Sequence, residues 1–101
     1  MNIRPQEIDY KKKIGSLQGR PVIEIGLKGG YHLICSPKGS QVEYLGAGPH
    51  RAVARHIAKK RAPDMQITEL SKSDHVEPEH FEHLVPHYEG ITDQLNTAAK
   101  K

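Results

Sequence analysis

The sequence predicts an α+β fold in one domain: a three-stranded antiparallel meander, extended by a fourth strand through a helical crossover, with a C-terminal amphipathic helix. Three observations predict it. β-Branched runs separated by glycine-rich turns fill residues 21–46. Apolar residues recur at helical spacing between Pro49 and Pro63. A second helical stripe, richer in acids, follows residue 72.

Taken in order, "PQEIDYKKKIGSL" at 5–17 reads either as a short helix or as a basic arm. The helix would have Pro5 in its first turn and Tyr10, Ile14 and Leu17 on one face, with Ile8 out of phase. Gly19 and Pro21 then break the chain before the first strand, "VIEIGL". "KGG" at 28–30 supplies a hairpin turn, because glycine reaches the positive φ that tight turns need. "YHLICS", the turn "PKGS" and "QVEYLG" complete the meander. Alternation puts Ile23, Ile25, Leu27, Leu33, Cys35, Val42 and Tyr44 on one face, and Val22, Ile34 and Leu45 on the other. Both faces therefore need cover.

The helix at 49–61 gathers Val53, Ala54, Ile57 and Ala58 on one side and Arg51, Arg55, His56, Lys59 and Lys60 on the opposite half. Pro49 suits its first position and Pro63 stops it. "MQITEL" at 65–70 is the fourth strand, which a right-handed crossover would set parallel to the third. In the tail, Phe81, Leu84, Val85, Tyr88, Ile91 and Leu95 form one amphipathic helix, or a pair divided at Pro86, with Asp74 and Glu77 as a capping pair. Its stripe is the expected cover for the second sheet face. The domain thus divides into a helix or arm at 1–18, sheet and basic helix at 19–72, and an acidic, His-rich tail at 73–101.

At 101 residues the chain can build one modest core, burying over roughly 60% of its unfolded surface. Aliphatic residues supply it, since there is no Trp and only one Phe. No apolar run is long enough to span a bilayer, and "MNIRPQEIDYKKK" is too polar for a signal peptide. The expectation is a cytoplasmic protein without membrane contact. Lone Cys35 forms no intrachain disulfide and, among apolar neighbours, reads as an inert buried thiol. His32 and Cys35 are three apart on one strand, so they point to opposite faces and make no dyad. With no activated serine and no placed carboxylate pair, the expectation is a non-enzymatic protein without a cofactor.

The net charge of +3 is unevenly divided. Residues 1–62 carry 12 Lys/Arg against 4 Asp/Glu, and residues 63–101 carry 3 against 8. A basic module bearing an acidic appendage follows. The basic half peaks at "GAGPHRAVARHIAKK", residues 46–60. Gly46 and Gly48 let the backbone turn sharply and approach a ligand, and the helix start beyond them favours an anion. His50 and Arg51 stand on the first turn, with Arg55 one turn along the same side and Lys59 and Lys60 beyond. A nucleic-acid backbone is the commonest partner for such a surface. The same residues also suit a bare turn between a strand and a solvated helix.

The order of helix, meander, glycine-flanked turn and basic alanine-bearing helix resembles the double-stranded-RNA-binding domain over about half the chain. Gly46, Gly48, Arg51, Ala54, Arg55 and Ala58 stand at comparable places. The resemblance implies phosphate contact at the start of the basic helix. The family's lysine cluster is replaced here by His50, Arg51 and Ala52, and a fourth strand and an acidic tail follow.

Four histidines lie in the tail: His75, His80, His83 and His87. His80 and His83, at i and i+3 among glutamates, are weak candidates for a Zn²⁺ or Ni²⁺ site, with a solvated helix flank as the plainer reading. Protonating all four would nearly cancel the tail's negative charge and weaken its attraction to the basic helix. The expected function is a small binding module that contacts nucleic-acid phosphates through helix 49–61, with weak sequence selectivity. Lys11, Lys12 and Lys13 would add an arm. The alternative is a protein-interaction subunit, a homodimer or adaptor, built on the tail stripe with Val22, Ile34 and Leu45.

Overall fold

A computed structural model describes residues 5–68 and 82–99. Its centre is an antiparallel sheet of five strands: β1 (Ile8–Leu17), β2 (Arg20–Leu27), β3 (His32–Lys38), β4 (Gln41–Gly48) and β5 (Gln66–Ile67). Their order across the sheet is β4-β3-β2-β1-β5. Helix α1 (Arg51–Arg61) follows β4, and α2 (Val85–Ala99) ends the described chain. The fold class is α+β, with the meander, the helical crossover and the C-terminal helix that the sequence predicts.

The N-terminal segment is neither helix nor arm. Among the described residues, a single 3-10 turn, Pro5–Glu7, precedes β1. Burial along Ile8–Lys13 alternates between half-buried and exposed residues, the period of two that a sheet imposes. Ile8, out of phase on a helical wheel, is thereby accommodated. The helix that the resemblance to the double-stranded-RNA-binding domain places before the meander is therefore a strand here.

That added strand also moves the landing point of the crossover. β5 does not join β4. It pairs antiparallel with β1 at the far edge, Gly15 opposite Ile67 and Ser16 opposite Gln66. β5 runs in the same direction as β4, yet three strands lie between them. Beyond Thr68 the expected strand 65–70 passes outside the described residues, as do the Asp74–Glu77 cap and Phe81.

Each sheet face has its own helix, but the face of Val22, Ile34 and Leu45, the one expected to lie under the tail, lies under α1, and the tail covers the other. Ile14, Val22, Ile34 and Leu45 pack under Ala54, Ala58, Ala62 and Met65. Ile25, Leu33, Cys35 and Ala47 pack with Leu95, flanked by Ile23, Tyr44 and Ile91. A third cluster joins the helices, Val53 and Ile57 of α1 meeting Val85 and Tyr88 of α2. The four α1 residues predicted to face inward, Val53, Ala54, Ile57 and Ala58, are all fully buried. Val42, assigned to the covered face, is instead exposed at the β4 edge.

Both prolines near the helix starts fall differently from expectation. α1 begins at Arg51 with His50 as its N-cap, so Pro49 lies before the cap. Pro86 is the second residue of α2, where its missing N–H has no intrahelical partner to lose. It neither kinks nor divides the helix; the 3-10 turn Glu82–Leu84 leads directly into it.

Tail and basic helix are joined by charge as well as by packing. Lys60 Nζ lies 3.4 Å from Glu89, and Arg61 donates to Asp93 at 2.8 Å and to the Glu89 carbonyl at 3.1 Å. No described helix is long and apolar enough to cross a membrane.

Candidate functional site

The residues predicted to shape a phosphate loop are placed otherwise. Gly46 and Gly48 lie within β4, extended and buried, and neither has a positive φ. A methyl group at Gly46 would collide with the Ala54 carbonyl, and one at Gly48 with the Val53 side chain. These glycines let α1 settle closely on the sheet. His50 is exposed with extended backbone, φ −136° and ψ 151°, and its side chain makes no capping bond. Lys59 is exposed on α1, and Lys60 serves the contact with α2.

Arg51 and Arg55 turn inward. One helical turn apart, they reach the same carboxylate, Glu24 of β2, which has no solvent exposure. Arg51 Nε lies 3.2 Å from Glu24 Oε2, and Arg55 Nε 3.3 Å from Glu24 Oε1. Arg51 keeps 26% of its side chain exposed and Arg55 only 11%. Arg55 is thus an anchor of helix to sheet, and Arg51 stands at the mouth of the cluster.

Tyr10 completes the network through a packing device. β2 carries Gly26 opposite both Tyr10 and His32, and a methyl group there would strike the Tyr10 ring. The ring therefore lies across Gly26. Its hydroxyl donates to Glu24 Oε2 at 2.9 Å, meets His32 Nδ1 at 3.0 Å, and accepts from Arg51 Nε at 3.2 Å. A phenol has one proton. With that proton given to Glu24, His32 Nδ1 must be the donor, which fixes the neutral tautomer as Nδ1–H. Lys12, opposite Glu24 in the register, holds its ammonium 5.5 Å from the ring centroid, and the Arg51 guanidinium lies at the same distance.

Burial, ahead of its hydrogen bonds, pushes the Tyr10 phenol above its ordinary value. It is a hydroxyl donor at neutral pH and not a phenolate. Burial likewise pushes the Cys35 thiol from 9.0 up to about 11, in keeping with an inert side chain. Chemically, the oxyanion that the cluster holds is the Glu24 carboxylate itself, through Arg51, Arg55 and the Tyr10 hydroxyl, and the Tyr10 phenol is no activated nucleophile.

Sequence reasoning treated Arg51 and Arg55 as a solvent face and missed Tyr10, Glu24 and His32. The available signal was Glu24 itself, a lone carboxylate inside the β-branched run "VIEIGL". A buried carboxylate needs cations, and arginines spaced i, i+4 on the following helix provide them. Elsewhere, a groove of about 520 Å³ separates β4 from α2. Its charges are matched in pairs, Lys38 with Glu43 and Arg61 with Asp93. Of the metal candidates, His83 is exposed and His80 lies outside the described residues. No group of three His, Cys, Asp or Glu side chains gathers as a cation site among the described residues.

Fold and cluster together define a small α+β domain whose basic helix is locked to its sheet through one buried carboxylate. Comparison with protein-family models, with curated proteins and with solved structures gives no match.

Proposed function

We propose that this is a small non-enzymatic module that contacts nucleic-acid phosphates along the flank of α1, with weak sequence selectivity. One observation carries the reading. Arg51 and Arg55 outnumber the one carboxylate they meet, Lys12 lies over the adjoining Tyr10 ring, and exposed Lys59 continues the positive charge along the same helix. Arg51 is the contact residue of the inward pair and Arg55 its support. Gly46 and Gly48 serve by seating the helix, and Lys60 is engaged with Glu89. Less supports the homodimer alternative, because Val22, Ile34 and Leu45 are buried under α1 and the tail stripe packs within the chain.

The test is the affinity for a fluorescein-labelled oligonucleotide as salt rises from about 50 to 200 mM. Affinity is expected to fall steeply with salt. The double variant Lys12→Gln with Lys59→Gln should bind more weakly and flatten the log–log slope by about 0.7–0.9 for each phosphate that is no longer neutralised. No binding at low salt, or a slope unchanged in the variant, overturns the reading.

A further inference from the structure

Tyr31 stands in the β2–β3 turn with 41% of its surface open to solvent. Among the described residues only Val42 is a comparably exposed large apolar side chain. The ring is not loose. It packs at 6.1 Å and 55° against Tyr88, which in turn meets His87 edge-on at 4.9 Å. Tyr88 is buried against α1 beside Val53, so it forms a fixed backing for Tyr31. His32 pairs with Gly48 across β3 and β4, which puts Tyr31 beside the step from Pro49 to His50, where α1 begins. An exposed tyrosine, held by a buried one, therefore stands at the end of the sheet where α1 begins, with the exposed His50 and the partly exposed Arg51 at the start of that helix.

We propose that the nucleic acid bound is single-stranded and that one of its bases stacks on Tyr31; the inference rests on the phosphate reading above. Alternating cation and aromatic surface is what an unpaired strand can use, because its phosphates and its base faces are available together. A duplex offers only its phosphates there, since its base faces are occupied by stacking. Every base has a π-face, so contact of this type adds affinity without reading sequence. It thereby agrees with the weak selectivity expected of phosphate contacts.

Two labelled probes test this: an oligothymidylate of roughly ten nucleotides, within the site size of small single-strand binders, and a hairpin duplex of matching length. Tyr31→Leu keeps an apolar contact for Tyr88 but removes the aromatic face. It is expected to weaken oligothymidylate binding by about tenfold, to leave duplex binding unchanged, and to leave the salt slope unchanged, since stacking releases no counterions. Tyr31→Phe should retain wild-type affinity. With no Trp in the chain, quenching of tyrosine emission on adding oligothymidylate reads the same event. Equal oligothymidylate affinity in Tyr31→Leu and wild type, or a preference for the duplex, overturns the stacking inference and leaves salt-dependent phosphate binding standing. If neither probe binds at low salt, the phosphate reading fails and the inference falls with it.

Discussion

At the scale of single residues, Glu24 decides most. Removing an ionised carboxylate from water costs several kcal/mol, which only well-placed donors and opposite charge offset. Tyr10, Arg51 and Arg55 provide them from a strand and a helix that are far apart in sequence. Taking the charge away leaves two guanidinium groups facing a neutral amide. Glu24→Gln is therefore expected to lower the unfolding free energy by roughly 3 kcal/mol, measured by urea denaturation. Glu24 was visible in the sequence as the one charge in an apolar strand, and the arginine spacing was visible too. Their meeting was not, because it depends on how far α1 rolls over the sheet. Tyr10 was less legible still: its place across Gly26 follows from a register that no local pattern encodes.

At the scale of elements, β4 shows how an exposed edge is closed. Cys35 faces Tyr44 across the ladder, and the Tyr44 main chain points outward. Asn96 of α2 meets it with both ends of its amide, accepting from Tyr44 N at 2.6 Å and donating to Tyr44 O at 2.8 Å. The side chain does what a neighbouring strand would do. Asn96→Ala should cost about 1–2 kcal/mol and speed hydrogen exchange at the Tyr44 amide, while amides of β2 and β3 keep their protection. The meander and α1 were legible because their signals are local: glycine turns, alternation and a clean apolar stripe. β1 was not, since three consecutive lysines mask its alternation and Tyr10, Ile14 and Leu17 happen to fit a helix as well. Misplacing β1 displaced β5, whose position depends on which edge remains open.

At the scale of the whole molecule, the charge asymmetry of the sequence is partly spent inside it. Glu89 and Asp93 of the acidic half hold Lys60 and Arg61 of the basic half, so α2 is tied to α1 by charge as well as by packing. Titration is also shared across both faces. Burial raises the Cys35 thiol to about 11 and raises the phenols of Tyr10, Tyr44 and Tyr88. In the unfolded chain these groups lose their protons first as pH climbs, so above the ordinary thiol value the native state holds more protons. Stability contributed by Cys35 is complete below about pH 9 and is lost progressively through pH 11. Urea midpoints should stay level in this respect up to pH 9 and then decline, and Cys35→Val should make the decline between pH 9 and 11 shallower.

The position of β5 also sets a timetable. β1 to β4 are neighbours in the sheet and in the chain, so their hairpins can close soon after each turn is made, on a scale of about microseconds. Gly15 must wait for Ile67, with α1 already laid across the sheet between them. In a nascent chain the Gly15–Ser16 end of β1 thus stays unshielded until β5 leaves the ribosome, and cross-pairing between copies would begin there in that interval.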